Sequence, residues 1–171
     1  DLGSLLAFHD AHAAEATIAL TRVKDPSAFG VVPTAPDGAV LAFVEKPPPG
    51  KAPTDWINAG TYILEPSVLQ RIPLGVNTSI ERETFPRMLE DRRRLYAMAS
   101  SAYWLDIGTP DKYLQAHHDL LAGLLDAAPV PGAIEQSPGI WLQGDAFVHP
   151  GAHVEPPVLQ DRKSTRLNSS H

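Results

Sequence analysis

The sequence has 171 residues, of which 43% are hydrophobic and 20% charged, a balance typical of a globular protein rather than a disordered or fibrous one. It has no cysteine and carries 14 basic against 20 acidic residues, which excludes disulfides and thiolate metal sites and argues against a nucleic-acid partner. Because the sequence contains no apolar run of membrane-spanning length and opens with no secretory leader, we expect a cytoplasmic protein without a membrane partner.

Helical and strand patterns alternate along the first part of the sequence. An amphipathic helix over residues 5–12 follows a capping residue, either Asp1 or Ser4. Apolar and β-branched runs predict strands over residues 16–23, 29–32, 40–44 and 56–64. Turn residues at 36–38 lie between the second and third of these strands, which predicts a β-hairpin.

The alternation continues beyond the fourth strand. Short helices are predicted over residues 66–72 and 78–90, and strands over 95–98 and 103–105. A longer helix begins at Thr109, has Pro110 in its first turn and extends to about residue 127. Strands that alternate with helices predict an α/β fold, with antiparallel additions at the hairpin.

The composition changes after residue 128. Proline, glycine, alanine and serine dominate residues 129–138, which indicates a linker. Over residues 139–160 an aliphatic residue opens each of three hexads, at Leu142, Val148 and Val154, and alanine or valine takes each fifth place. This spacing is typical of a left-handed parallel β-helix, although a Pro/Gly-rich tail with accidental spacing would give the same pattern.

Both ends of the sequence are unusual. Residues 161–171 match, codon by codon, the translation of a common sequencing-adapter oligonucleotide, so we predict that they are an artefact. At the other end, Asp1 leads directly into a helix. We therefore expect the sequence to be an internal fragment of a longer protein.

Glu45 and Lys46 stand at the end of an apolar strand, which Pro47 terminates. Ligands of open α/β sheets bind outside the carboxyl ends of strands. A carboxylate accepts hydrogen bonds from sugar hydroxyls and an ammonium group neutralises a phosphate, so this pair suits a phosphorylated sugar. The competing interpretation is a solvated strand end.

Asn58 and Gly60 lie inside a predicted strand, where both residue types are disfavoured. A glycine in a strand often marks a place where something approaches the backbone closely, and an amide can both donate to and accept from a hydroxylated ligand. A β-bulge explains the same two residues without a ligand.

Asp106 lies between apolar residues just before the helix at Thr109. A single carboxylate can hold Mg²⁺, which takes one or two protein carboxylates together with phosphate oxygens and water, or it can cap the helix. The histidines show no zinc-binding spacing, and no serine lies in a nucleophile-elbow motif. Hydrolase chemistry therefore has no support in the sequence.

The order of these motifs is more specific than any one of them. The sequence contains Phe29–Val32, Phe43–Pro47, Asn58–Tyr62, Ser79–Pro86 and Trp104–Pro110. In this order the motifs resemble those of the nucleoside-diphosphate-sugar pyrophosphorylase family, and within it the members that form GDP-mannose. The resemblance covers residues 1–160. It implies that residues 1–128 are the C-terminal, sugar-phosphate half of a Rossmann-like nucleotidyltransferase domain, followed by the linker and the start of the left-handed β-helix.

The resemblance also implies a role for each candidate residue. The substrate-binding residues would be Gly30, Glu45, Lys46, Asn58 and Gly60, with Glu45 on sugar hydroxyls and Lys46 on the phosphate. Lys46 and Asp106 would be catalytic, and Asp106 would be one ligand of a Mg²⁺ ion. The implied reaction is attack of a sugar 1-phosphate, here mannose 1-phosphate, on the α-phosphorus of a nucleoside triphosphate, here GTP, with release of pyrophosphate.

The sequence departs from the family in one respect. The glycine-rich nucleotide loop and the second metal carboxylate of the family do not occur in it, so we expect the fragment to be inactive by itself. Two alternatives stay open: thymidylyl or adenylyl transfer to glucose 1-phosphate, and a non-catalytic paralogue that binds sugar nucleotides and regulates an enzyme. In the parent protein the β-helix would allow homo-oligomerisation.

Overall fold

The computed structural model describes residues 1–161, so nearly all of the adapter-like segment predicted over 161–171 lies outside the described residues. The chain divides into two units, the first spanning Asp1–Trp104 and the second beginning at Leu105. This division falls earlier in the chain than the boundary predicted at residue 128. Each unit is described by itself.

A five-stranded sheet forms the centre of the first unit. The elements in chain order are α1 (Leu2–Ala11), β1 (Ala16–Arg22), β2 (Gly30–Val31), β3 (Val44–Glu45), β4 (Trp56–Leu64), α2 (Pro66–Leu69), α3 (Phe85–Glu90) and β5 (Leu95–Ala99). The strand order is β3-β2-β4-β1-β5, in which only β1 and β5 run parallel. The predicted mixed α/β architecture is confirmed.

The core lies around β1, which has a neighbouring strand on each side. Its residues Ala16, Ile18 and Leu20 are fully or almost fully buried. Phe85 and Met88 of α3 belong to the same core cluster and are inaccessible to solvent. Burying a large apolar side chain contributes about 1.5–3 kcal/mol, so α3 is fixed to the sheet mainly by these two side chains.

The N-terminal helix has the predicted cap. Of the two candidates, Asp1 is the capping residue: its carboxylate accepts from the backbone N–H groups of Gly3 at 3.0 Å and Ser4 at 3.3 Å. The helix extends over Leu2–Ala11 and so begins earlier than the predicted residue 5, because the cap lies at the first residue of the chain.

The predicted hairpin exists, but its second strand is shorter than expected. The antiparallel partner of β2 is Val44–Glu45 rather than residues 40–44. Val40 is instead hydrogen-bonded to Leu95 of β5, at 3.0 Å from N to O. The returning chain thus contacts the other edge of the sheet at Val40 before it pairs with β2.

A predicted strand over 103–105 is wrong. These residues have no regular secondary structure. The indole N–H of Trp104 donates to the carbonyl oxygen of Ala59 at 3.1 Å, and its ring packs edge-on against Phe29. Side-chain contacts therefore hold Trp104 in place where a backbone ladder was expected.

The helix predicted over 78–90 begins with a π-helical turn, Ile80–Thr84, before α3 continues it. Within this turn the N–H of Thr84 donates to the carbonyl oxygen of Ser79, five residues earlier, at 3.3 Å. The Ser79 hydroxyl accepts from the N–H of Arg82 at 3.2 Å, as the predicted hydroxyl cap requires. A π-helical turn inside a helix is rare and is often found at functional sites.

The second unit contains α4 (Pro110–Leu121), β6 (Ala133–Ser137), β7 (Ile140–Gln143) and β8 (Val158–Gln160), with the strands in the order β6-β7-β8. α4 ends earlier than predicted, and Gly123 follows it at a positive φ of 75°. The segment predicted as a linker, 129–138, contains β6. A turn with Gly139 at φ 74° lets β6 pair with β7, which composition alone did not indicate.

No helix within residues 1–161 is both long enough and apolar enough to cross a membrane. The cytoplasmic location stays a prediction.

Candidate functional site

The structure places Gly30 and Glu45 directly opposite each other in the β2–β3 ladder. A Cβ atom added to Gly30 would lie 3.3 Å from Oε2 of Glu45, closer than most side-chain contacts. The missing side chain at Gly30 therefore makes room for the carboxylate of Glu45. These two predicted site residues form one small patch at the edge of the sheet.

Arg82 of the π-helical turn holds the other oxygen of this carboxylate. Its Nη2 lies 3.2 Å from Oε1 of Glu45, in an ion pair whose side chains are 65% and 32% exposed. Such an exposed pair contributes about 0–1 kcal/mol to stability. Its main effect is orientation, because it fixes Oε1 and leaves Oε2 on the side of Gly30.

Lys46 follows Glu45 with an unusual backbone. Its φ is +45°, in the left-handed region that L side chains rarely adopt, and its N–H donates to the carbonyl oxygen of Phe29 at 3.1 Å. Its ammonium group makes no hydrogen bond or ion pair with any residue from 1 to 161. Strained backbone of this kind concentrates at binding sites, and here it carries a positive charge that is available to a phosphate.

β4 contains the bulge that was one of the two interpretations of Asn58 and Gly60. Tyr62 lies opposite Ile18, whereas Asn58 lies opposite Leu20, so β4 has two more residues than β1 over this stretch. Gly60 has a φ of +76°, and a Cβ atom there would meet nothing within 4 Å. The glycine is thus needed for its backbone conformation, and the space beside it is open.

A closed polar network surrounds Asn58. Its Nδ2 donates to Oε1 of Glu81 at 2.5 Å and to the hydroxyl of Tyr62 at 2.7 Å. The Tyr62 hydroxyl in turn donates to the same Oε1 at 2.9 Å, and Oδ1 of Asn58 accepts from the N–H of Gly60 at 2.9 Å. The three side chains are half-buried and form a triangle whose donors are all used.

Tyr62 stays protonated over a wide pH range. Burial of its hydroxyl, opposed in part by the hydrogen bond from Asn58, together with the nearby Glu81 carboxylate, raises the pKa of Tyr62 to about 12. The hydroxyl is therefore a permanent donor to Glu81 at neutral pH.

The sequence alone did not assign roles to Tyr62, Glu81 and Arg82. Tyr62 had a usable signal, since residues four apart in a strand share a face and Asn58 was already a candidate. Glu81 looked like an acidic residue that favours a helix N-terminus, which is the commonest reason for its position. Arg82 carried no signal, because its partner is 37 residues away in sequence.

Asp106 lies in the second unit, exposed, in the segment that precedes α4. The helix cap is Thr109, whose hydroxyl accepts from the N–H of Lys112 at 3.3 Å, so the capping interpretation of Asp106 is wrong. Among residues 1–161, no three histidine or carboxylate side chains lie close enough together to hold a metal ion. A lone carboxylate fits Mg²⁺ only as one ligand beside phosphate oxygens and water.

Residues 1–123 match the family described as Nucleotidyl transferase. A mannose-1-phosphate guanylyltransferase of Mycobacterium tuberculosis is 41% identical over 93% of this chain and 42% of its own length. A mannose-1-phosphate guanylyltransferase catalytic subunit beta of Drosophila pseudoobscura pseudoobscura is 46% identical over 88% of this chain and 38% of its own. The chain thus spans about two fifths of the length of these curated relatives.

A solved structure is similar as well. The crystal structure of HddC from Yersinia pseudotuberculosis superposes with a TM-score of 0.51 at 28% sequence identity, over 65% of this chain and 47% of that one.

Proposed function

The chain belongs to the nucleotidyl transferase family, and we propose that it carries the sugar-phosphate side of an enzyme that makes GDP-mannose from GTP and mannose 1-phosphate. The family binds a nucleoside triphosphate and a sugar 1-phosphate as substrates. The observation that carries the proposal is that the ammonium group of Lys46, the residue that follows Glu45 at the end of β3, has no partner among residues 1–161.

Each residue of the site has a role in holding the sugar phosphate. Lys46 neutralises the phosphate, and Oε2 of Glu45 accepts from a sugar hydroxyl. Asn58 offers an acceptor on the neighbouring strand. Gly30 and Gly60 form the wall of the pocket: Gly60 leaves open space in which the sugar can approach the backbone, whereas Gly30 leaves room for the Glu45 carboxylate that binds the sugar.

The reaction forms one bond and breaks one. A phosphate oxygen of mannose 1-phosphate attacks the α-phosphorus of GTP, and the bond from that phosphorus to the bridging oxygen breaks, which releases pyrophosphate. Lys46 orients the attacking phosphate and reduces its repulsion from the triphosphate. No protein nucleophile is needed, and no proton has to be moved by the described residues.

The proposed reaction also involves a divalent metal ion. Nucleotidyl transferases of this family generally use one. We propose Mg²⁺, with Asp106 as one ligand; when bound, the ion neutralises charge on the triphosphate.

We also propose that the second unit begins a left-handed β-helix. β7 and β8 pair in parallel with Ile140 opposite Val158 and Leu142 opposite Gln160. The partners are thus 18 residues apart, the length of three hexads and of one coil. Because repeats of this kind need stacked neighbours, further coils would continue the helix in the intact protein and offer a surface for homo-oligomerisation.

The test is a substrate panel on the intact protein with Mg²⁺, with pyrophosphate release as the readout. We expect the highest kcat/KM for GTP with mannose 1-phosphate. A preference for dTTP or ATP with glucose 1-phosphate would contradict the choice of substrates, and binding of sugar nucleotides without turnover would favour the regulatory paralogue.

A further inference from the structure

The Glu81 carboxylate accepts a hydrogen bond from Asn58, a residue of the proposed sugar pocket. We propose that Glu81 is a positioning residue, which fixes the amide of Asn58 so that only its carbonyl oxygen is presented to the sugar. This inference rests on the proposed function of the same site. It predicts that Asn58 accepts a hydrogen bond from a sugar hydroxyl and never donates one.

The count of donors and acceptors carries the inference. The amide nitrogen of Asn58 has two hydrogens, and Glu81 and Tyr62 take one each, at 2.5 and 2.7 Å. The amide oxygen has two lone pairs, of which the N–H of Gly60 uses one. One lone pair of the oxygen is thus the only hydrogen-bonding capacity of this side chain that a ligand can use.

The opposite orientation of the amide is strongly disfavoured. A rotation by 180° would bring the amide oxygen of Asn58 against Oε1 of Glu81, and two acceptors would then face each other. The Gly60 N–H would lose its acceptor in the same step. Because leaving polar groups unpaired away from bulk water is costly, the carboxylate selects one orientation.

Glu81 itself is held in place from two sides. The Tyr62 hydroxyl donates to the same oxygen that Asn58 binds. The π-helical turn that carries Glu81 is capped by Ser79 and continues into α3, which is anchored in the core by Phe85 and Met88. The carboxylate is therefore a fixed acceptor rather than a mobile surface charge.

The chemical consequence is selectivity for a donor. A sugar hydroxyl can donate to the free lone pair of Asn58, whereas a deoxy or a fluoro group at the same carbon cannot. Sites built to hydrogen-bond a hydroxyl discriminate strongly against analogues that lack it. Without Glu81 the amide can turn and offer its N–H₂ group, so discrimination should fall.

The experiment compares three changes in the intact protein by steady-state kinetics. Glu81→Ala should raise the KM for mannose 1-phosphate about 10-fold, because charge-assisted hydrogen bonds that fix the amide are lost, and leave the KM for GTP unchanged. Glu81→Gln keeps an oxygen acceptor, so its KM for mannose 1-phosphate should stay close to that of the wild type. The ratio of kcat/KM between mannose 1-phosphate and its deoxyfluoro analogues should shrink in Glu81→Ala.

Glu83→Ala is the matched control. Glu83 lies on the same turn, where its carboxylate accepts from the N–H of Ser79 at 3.1 Å and from Arg87 at 3.3 Å rather than from Asn58. It should leave both KM values and the analogue ratio unchanged. A double variant completes the design: in Asn58→Ala, the further change Glu81→Ala should have no additional effect on the KM for mannose 1-phosphate.

Two results would overturn the inference. One is an equal rise in the KM for mannose 1-phosphate in Glu81→Ala and Glu83→Ala, which would mean that the turn is merely structural. The other is a further rise in this KM, as large as in the wild type, when Glu81→Ala is added to Asn58→Ala. If the wild type turns over no sugar 1-phosphate, the proposed function fails separately, and the NMR signals of the Asn58 amide protons then decide its orientation. The inference is supported if the Asn58 amide protons exchange slowly in the wild type and quickly in Glu81→Ala. Fast exchange in the wild type contradicts it.

Discussion

At the scale of single residues, Lys46 combines an unfavourable backbone with a charge that the described residues leave unpaired. A lysine in the left-handed region is destabilising by about 1 kcal/mol, so stability alone would favour glycine at this position. Packing and stability therefore do not account for a lysine at this position, whereas the proposed role in binding the phosphate does.

Replacing Lys46 tests this explanation. Lys46→Ala should raise the KM for mannose 1-phosphate about 10- to 100-fold, since charge-assisted contacts contribute about 1.5–3 kcal/mol and each 1.4 kcal/mol is a factor of ten. Lys46→Gly should lose the same affinity while its Tm stays at or above that of the wild type, because glycine relieves the strain at positive φ. Both are measured by steady-state kinetics and thermal unfolding.

The matched control is Lys51→Ala, an exposed lysine five positions further along the same loop. It should change neither value. An equal rise in KM for the Lys51 variant would show that the general charge of the loop, and not Lys46, attracts the phosphate.

Tyr62 gives a prediction for pH. Its pKa is raised to about 12 from an ordinary value of 10.0, so between these values the folded protein keeps a proton that the unfolded chain has lost. The stabilisation from Tyr62 is thus present below about pH 10 and is lost as the pH rises through 12. Chemical denaturation should show that the free energy of unfolding of the wild type falls relative to that of Tyr62→Phe over this range. A constant difference would contradict the buried hydroxyl.

The sequence predicted the residues that differ from their local pattern and missed those that look ordinary. Glu45, Lys46, Asn58 and Gly60 stood out because a strand end or a disfavoured residue marked them. Glu81 and Asn58 are 23 positions apart and meet only because α3 packs on the sheet. A local pattern carries no information about such a contact.

At the scale of elements, two glycines at turns and bulges have the same kind of backbone but different surroundings. Gly38 and Gly60 have φ values of +87° and +76°. A Cβ atom on Gly38 would lie 2.8 Å from Cζ of Phe8 and 3.0 Å from the carbonyl oxygen of Ala97, whereas one on Gly60 would meet nothing within 4 Å. Backbone strain would therefore affect a side chain at either position, whereas steric overlap would affect one at Gly38 only.

Alanine substitutions at both glycines test this difference. Gly60→Ala should cost about 1–2 kcal/mol for the left-handed conformation alone. Gly38→Ala should cost about 1–3 kcal/mol more, because the Phe8 ring must move and the Ala97 carbonyl must give slightly to relieve the overlap. Gly50→Ala, also at positive φ with open space, is the control and should match Gly60→Ala. Equal costs at Gly38 and Gly60 in urea denaturation would contradict the packing described around Phe8.

Strand and helix positions followed from hydrophobic pattern where the pattern was long. β4 lies at its predicted residues, 56–64, and β1 differs from prediction only at one end. The π-helical turn could not be predicted, because a hydrogen bond to the fifth residue back has no hydrophobic period of its own. β6 was missed because its partner β7, and not its own composition, makes it a strand.

At the scale of the whole molecule, the first unit contains the residues proposed to hold the sugar phosphate, and the second contains Asp106 and the proposed start of a β-helix repeat. The family match covers residues 1–123 and therefore includes parts of both units. The fold class and the family were within reach of the sequence, since an ordered set of motifs is more specific than any single one. The contacts that hold the proposed site residues in place could not be predicted from the sequence, because they join residues far apart in the chain.

Hydrogen exchange in the intact protein tests the central claim most directly, by comparing GDP-mannose with GDP as ligands. The additional protection due to the mannosyl group should fall on the backbone amides of 30–31, 44–46 and 58–62. Lys46→Ala should weaken it, whereas Lys51→Ala should not. Additional protection confined to residues 133–160, or none in the first unit, would contradict the account.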